Sequence, residues 1–298
     1  MTPDLELALS LADAADELTL RHFGSASLAV RTKADRTPVS EADEAVERLL
    51  RSRVPSGDAV LGEEFGGSTP HPPFGHLLPA GRGEGSRGKS PSPRASGERV
   101  AEGRVRGVRT WIIDPIDATK NYIRGIPVFA TLIALSVDDV LQVGVVSAPA
   151  LARRWFAARG LGAFCNGTRL RVSSVASLSD AQLAYDGIAD FDKAGLSDRF
   201  LTLARSCYRT RGFGDFWAHM LVAEGAMDVA VEPEVAPWDV AAVQLIVEEA
   251  GGRFTDLGGK ARHDGGSALS TNGMLHDAVR VILSRADGEG SVPISSGA

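Results

Sequence analysis

The chain is poor in cysteine, in long apolar runs and in positive charge, and each shortage excludes something. Two cysteines, Cys165 and Cys207, stand among 298 residues. They are too few for a disulfide framework and lack CxxC spacing, which points to a reducing compartment and leaves each as a small buried hydrophobe. No apolar run approaches the ~18 residues that a membrane-spanning helix takes. Met1 is followed by TPDLE rather than by a basic, apolar leader, so the expectation is a soluble, unexported, cytoplasmic protein. Acids outnumber bases, 38 to 32, for a formal net charge of -6. That balance excludes the chain as a whole as an electrostatic partner of nucleic acid or anionic membrane. A small anionic substrate would then need local cations or metal ions. The histidines, His22, His71, His76, His219, His263 and His276, show no ligand spacing and are read as structural.

With 44% hydrophobic and 23% charged residues, the chain can bury a core as one large domain or two closely joined ones. Its most informative stretch is WIIDPIDAT, Trp111 to Thr119, with Asn121 just beyond. Trp111, Ile112 and Ile113 read as a short buried strand that ends on Asp114 and, past a proline, Asp117. Pro115 fixes its own φ and pushes Asp114 out of the helical region, so the strand is expected to turn there. Ala118, Thr119 and Lys120 are expected to open a helical turn whose unpaired N–H groups can hold an anion such as phosphate. Two readings of the acids stand side by side. They cap a turn, as aspartate often does, or they form part of a site for a metal-bound phosphate ester.

Around this stretch the sequence predicts an amphipathic helix over 4–22, a hairpin over 28–40 turning at Ala34 to Arg36, and a second helix from Ser40. Asp43, third after Ser40, has a capping-box role open to it beside a catalytic one. DAVLGEEFG, residues 58–66, reads as another strand ending in acids, Glu63 and Glu64. A solvated strand end explains the pair. If this strand lies beside Trp111, Glu63 joins Asp114 and Asp117 and supplies the three or more hard oxygen ligands that Mg²⁺ takes. Residues 68–107, rich in Gly, Pro, Ser and Arg, read as a disordered insertion without assigned function. An antiparallel meander is expected over 127–160, with turns at Asp138 to Asp139 and Pro149 to Leu151. Strands and helices alternate from about 180. Trp238-Asp239 opens a helix, and the dipole there suffices to explain an Asp. The expected division is an N-terminal α+β subdomain, 1–173, a C-terminal α/β subdomain, 174–286, and a disordered tail, 287–298.

With Gly62-Glu63-Glu64, Asp114 to Thr119 and Trp238-Asp239 in hand, the chain resembles the inositol monophosphatase family of Mg²⁺-dependent phosphatases. The family's GEE, DPIDGT and WD elements occur in order, and the match covers nearly everything except the insertion and the tail. One position departs: Ala118 stands where the family usually has Gly. A right-handed φ is expected at Ala118, with its methyl near the phosphate. In TKNYIRGIPVFATLIAL, VVSAPALARRWFAARGLGAF, RTRGFGDFW and GGSALSTNG the chain is most similar to the bacterial histidinol-phosphate phosphatases of the superfamily, and less so to the general inositol phosphatases.

The resemblance implies an α+β fold, a layered α-β-α-β-α sandwich of the inositol monophosphatase and fructose-1,6-bisphosphatase type, and a homodimer. It implies hydrolysis of histidinol phosphate, in histidine biosynthesis, by in-line attack of a metal-activated water. The alternatives are an inositol or other sugar-phosphate phosphatase, or a non-catalytic metal or anion binder. It implies two or three Mg²⁺ ions: Asp114 bridging, Glu63 and the Ile116 carbonyl completing the first site, Asp117 and Asp239 the second, and Glu64 a hydrated third. Thr119 and Glu63 would orient the attacking water, with Asp43 accepting from Thr119, while the amides of Ala118 and Thr119 cradle phosphate. Asn121, Arg211, Asp215 and Glu232 are the matching candidates for holding the alcohol, though each can instead be a surface or interface charge. Acidic residues there suit the ammonium of histidinol phosphate.

Overall fold

The computed structural model describes residues 1–25, 28–33, 38–68 and 107–284. The expected tail, the turn at 34–36 and the expected insertion, apart from Ser68 and Gly107, lie outside them. Helix α1 (Pro3–His22) starts where the Thr2 hydroxyl accepts from the Leu5 N–H, and Leu5, Ala8, Leu11, Ala12 and Ala15 form its buried stripe. Strands β1 (Val30–Thr32) and β2 (Pro38–Ser40) make the expected hairpin, Val30 opposite Ser40. Helix α2 (Glu41–Arg53) begins with a complete capping box between Ser40 and Asp43.

Strands β3 (Ala59–Gly62) and β4 (Gly66–Ser68) pair antiparallel, and β3 runs parallel to β5 (Arg109–Asp117). After α3 (Thr119–Ile123) come β6 (Ala130–Val137), β7 (Val140–Ala148), β8 (Arg153–Ala158), β9 (Gly162–Cys165) and β10 (Thr168–Arg169). This antiparallel meander completes an eight-stranded sheet in the order β10-β9-β8-β7-β6-β5-β3-β4. The two-residue period of a strand sorts its side chains. Trp111, Ile113, Ile133, Leu135, Val143 and Val145 face α1 and α2, where they meet Leu11, Val46 and Leu50. Ile112, Leu132, Ala134 and Val146 face the opposite way.

The second half runs β11 (Gln182–Tyr185), α4 (Ile188–Lys193), α5 (Ser197–Ser206), β12 (Arg209–Arg211), α6 (Asp215–Ala223), β13 (Val229–Glu232), α7 (Pro237–Glu249), β14 (Arg253–Thr255), β15 (Ala268–Thr271) and α8 (His276–Ser284). Its sheet has the order β12-β11-β13-β15-β14, with β11 parallel to β12 and β13, and β15 antiparallel to both its neighbours. Leu183, Val229, Val231 and Leu269 are covered on one face by Phe191, Phe200, Leu203, Val279 and Leu283 of α4, α5 and α8. The layers are therefore helix, sheet, helix, sheet, helix, as expected.

The middle layer, α6 and α7, positions the site. The spacing of Val240, Val243, Ile246, Val247 and Ala250 predicts one apolar face for this helix, yet every residue from Val240 to Val247 is buried, because the helix lies between two sheets. Val240, Val243, Ile246 and Val247 join Phe216 and Met220 of α6 against Ile112, Leu132 and Val146. Full burial of each such aliphatic side chain contributes about 1.5–3 kcal/mol. Close approach of α7 depends on Gly144, where a Cβ would stand 2.7 Å from the Ala242 carbonyl oxygen. Gly144→Val would push the helix, and Asp239 with it, off the sheet. The short elements β4, α4 and β14 are not visible in the sequence, since three to six residues hold too little of a period to show one.

Candidate metal centre

Gly62 and Ile113 are paired neighbours on β3 and β5, so the residues after them, Glu63 and Asp114, follow side by side. The strand does not end at Asp114 as expected. It continues to Asp117 through a register shift against β6, where Asp114 pairs with Leu132 and Asp117 with Ala130. Such a bulge re-aims side chains without breaking the sheet. The carbonyl of Pro115 is held within it by the Thr131 hydroxyl at 2.8 Å. Asp239 comes from the first turn of α7, with one oxygen accepting from the Ala236 N–H at 2.7 Å. One carboxylate oxygen from each of Asp114, Asp117 and Asp239 lies within 4.8 Å of the others.

These acids raise one another. Asp114, only 2% exposed, and Asp117 are pushed far above the usual carboxylate range, first by burial and then by neighbouring charge. Glu63 is the largest charge acting on Asp114, and Asp215 on Asp117. Burial also lifts Asp239, to about 7; the Ala236 N–H opposes it and the charge of Glu63 adds to it. Glu63 is raised by burial against the pull of Lys33. The Lys33 ammonium lies 2.7 Å from both Glu63 and Glu64. Burial disfavours its charge, but the hydrogen bonds to the two glutamates outweigh that and hold it protonated. Oδ1 of Asp114 is buried without a hydrogen-bond partner. A cluster of hard oxygen donors with an orphaned oxygen, beside two glutamates that already hold an ammonium, fits Mg²⁺.

Thr119 stands beside the cluster, its hydroxyl 2.9 Å from the Ile116 carbonyl and 3.3 Å from Asp43 Oδ1. The other oxygen of Asp43 accepts from the Ser40 N–H at 2.7 Å and the Ser40 hydroxyl at 2.6 Å. Burial lifts Asp43 to about 6, with the Ser40 hydrogen bonds opposing and the charge of Glu64 adding. The two oxygens therefore divide, one closing the capping box and the other meeting Thr119. Ala118 corrects an expectation. It is left-handed, φ 64° and ψ 43°, as the N-cap of α3, because the chain must reverse from the bulged strand into the helix. The Cβ is disfavoured there by about 1–2 kcal/mol, which explains why glycine suits the position.

Of the four candidates for holding the alcohol, two join the acidic wall. Asp215, φ 48°, opens α6 after Gly214, and the next N–H, of Phe216, donates to Asp117 at 2.8 Å. Burial pushes Asp215 up to about 8, helped by Glu232 and Asp186 and opposed by Lys120. Glu232 ends β13, buried, with Oε1 lacking a hydrogen bond and 3.5 Å from Nε2 of His219. Asn121 instead donates to the Val128 carbonyl at 3.0 Å, closing the loop after α3. Arg211 is exposed on the edge strand β12 and donates to the neighbouring Thr210 carbonyl, with no contact to the cluster. Asp186, Lys33, Glu47 and His219 are site neighbours that the sequence does not single out. Lys33 and Asp186 sit in loops without a periodic signal. Glu47 looks like one more charge on α2, although its spacing of four from Asp43 is readable.

Comparison with known proteins agrees with this geometry. The profile of the inositol monophosphatase family matches residues 1–287. A histidinol-phosphatase of Mycobacterium tuberculosis is 48% identical over 284 residues, 93% of this chain and 96% of that protein. A histidinol-phosphatase of Streptomyces coelicolor is 46% identical, over 92% and 94% of the two chains. Among solved structures, a Thermotoga maritima IMPase superposes with a TM-score of 0.74 at 27% identity, covering 95% of this chain and 97% of its own. With its GEE and DPIDAT segments at the ends of neighbouring strands, Asp239 of its WD segment beside the DPIDAT acids and a family match over nearly its whole length, the chain belongs to the inositol monophosphatase family.

Proposed function

We propose that this phosphoric monoester hydrolase is a Mg²⁺-dependent histidinol-phosphate phosphatase. The observation that carries the metal reading is the convergence of Asp114, Asp117 and Asp239 within 4.8 Å, with Oδ1 of Asp114 unpartnered. Asp114, Asp117 and Asp239, with Glu63 and the Ile116 carbonyl, would hold Mg²⁺, and Glu64 a further ion. Bound there, Mg²⁺ supplies an acidified water and offsets charge on the phosphate and the leaving oxygen.

The residues of the chain do the rest. Thr119, poised between the Ile116 carbonyl and Asp43, orients the attacking water, and Asp43 accepts a hydrogen bond from the threonine hydroxyl and so holds it in place. The amides of Ala118 and Thr119 face the phosphate at the start of α3. Asp215, raised by burial, and Glu232, whose Oε1 lacks a hydrogen bond, take the ammonium of histidinol. Similarity to two histidinol-phosphatases over more than nine-tenths of the chain supports the same choice. Turnover of histidinol phosphate, inositol phosphate and other phosphate esters, with and without Mg²⁺, tests it.

A further inference from the structure

We infer that Glu47, which no part of the proposed mechanism uses, is a positioning residue of the metal centre: it fixes the backbone on both sides of Glu63. Its side chain is fully buried in α2. A buried carboxylate is costly unless hydrogen-bonded, and this one is bonded on each oxygen. Oε2 accepts from the Glu64 N–H at 2.7 Å. Oε1 accepts from Arg51 Nε at 2.7 Å and from the Phe65 N–H at 3.3 Å. Arg51 in turn donates to the Gly66 carbonyl, closing the far side of the turn. On the near side the carboxylate lies so close to Gly62 that a Cβ there would collide with it. Glu63 is thus held between a residue that must be glycine to admit the carboxylate and a residue whose N–H is bonded to it.

Asp43 lies one helical turn earlier on the same face of α2, also fully buried. Asp43 reaches Thr119, just past β5, and Glu47 reaches the turn just past β3. One rigid helix therefore sets the two metal-bearing segments relative to each other. The inference rests on the reading of Glu63 and Asp114 as metal ligands, and the test keeps the two apart.

Mg²⁺ binding to the full chain is measured by titration calorimetry for the wild type, Asp114→Asn and Glu47→Gln, with circular dichroism as a fold control. Gln keeps the size but brings an N–H₂ against one of the backbone donors. Glu47→Gln is expected to fold and to weaken Mg²⁺ binding by about tenfold or more, the usual effect of losing an outer hydrogen-bond partner of a ligand. Turnover should then recover at raised Mg²⁺. Should Glu47→Gln fail to fold, Glu47→Asp, which keeps the charge but withdraws it from the amides, is read in the same way. Wild-type Mg²⁺ affinity in the folded variant, even with a lowered melting temperature, would overturn the inference and make Glu47 merely structural. Unchanged Mg²⁺ binding in Asp114→Asn would overturn the ligand reading itself.

Discussion

Oγ1 of Thr119 lies 3.3 Å from Oδ1 of Asp43, joining the turn after β5 to the start of α2 across 76 residues. Because Asp43 also closes the capping box of α2, its replacement mixes two effects. Thr119→Ala separates them, removing the hydroxyl and leaving the cap. It is expected to lower kcat by about 100-fold with little change in melting temperature. Asp43→Asn should lower kcat similarly and in addition disturb the start of α2, where Asp43 is the N3 member of the capping box. Steady-state kinetics alongside thermal unfolding check both, and a Thr119→Ala enzyme of full activity would remove the threonine from the chemistry.

The raised acids give the metal-free protein an inverted pH dependence. A carboxyl whose folded pKa exceeds its unfolded value of about 3.9 stabilises the fold at low pH, and that contribution is lost as pH rises through the folded pKa. Asp43 at about 6, Asp239 at about 7 and Asp215 at about 8 set the window. Melting temperature in a chelator should therefore fall from pH 5 to pH 8.5, and excess Mg²⁺ should restore it at the upper end. Asp117→Asn should raise the metal-free melting temperature at pH 8 and abolish the response to Mg²⁺.

Left-handed Ala118 makes its own forecast. Ala118→Gly relieves the Cβ, at some cost in unfolded-chain entropy, and should stabilise the protein by up to about 1 kcal/mol. Denaturant unfolding checks this. A large rise in kcat with no gain in stability would mean instead that the methyl obstructs phosphate.

Asp215→Asn tests the acidic wall. Loss of a charged partner for an ammonium should raise KM for histidinol phosphate by about tenfold, while a neutral ester such as glycerol phosphate is little affected. An equal loss on both substrates would place Asp215 in the support of Asp117 through Phe216 and not in recognition.

Much of the fold and of the candidate metal centre is legible in the amino-acid sequence. The apolar run Trp111 to Ile113 and the acids after it mark a strand end, and the GEE and WD segments supply its partners. The alternation over 127–160 declares a meander, and the α2 capping box is visible in Ser40 and Asp43 alone. What the sequence hides depends on contacts between distant segments. The handedness of Ala118 follows from a bulge that exists only when β5 pairs with β6. Glu47 looks solvated until β3 brings Gly62 and Glu64 beneath it. Arg211 is close to Asp215 in sequence, whereas β12 ends on the sheet edge and leaves the arginine exposed.

The most direct test is the Mg²⁺ dependence of ester hydrolysis by the wild type and Asp114→Asn across histidinol phosphate, inositol phosphate and glycerol phosphate. The expected result is turnover that requires Mg²⁺, favours histidinol phosphate and disappears in Asp114→Asn. Turnover that persists in a chelator or survives Asp114→Asn would contradict the metal centre, and preference for inositol phosphate would contradict the substrate.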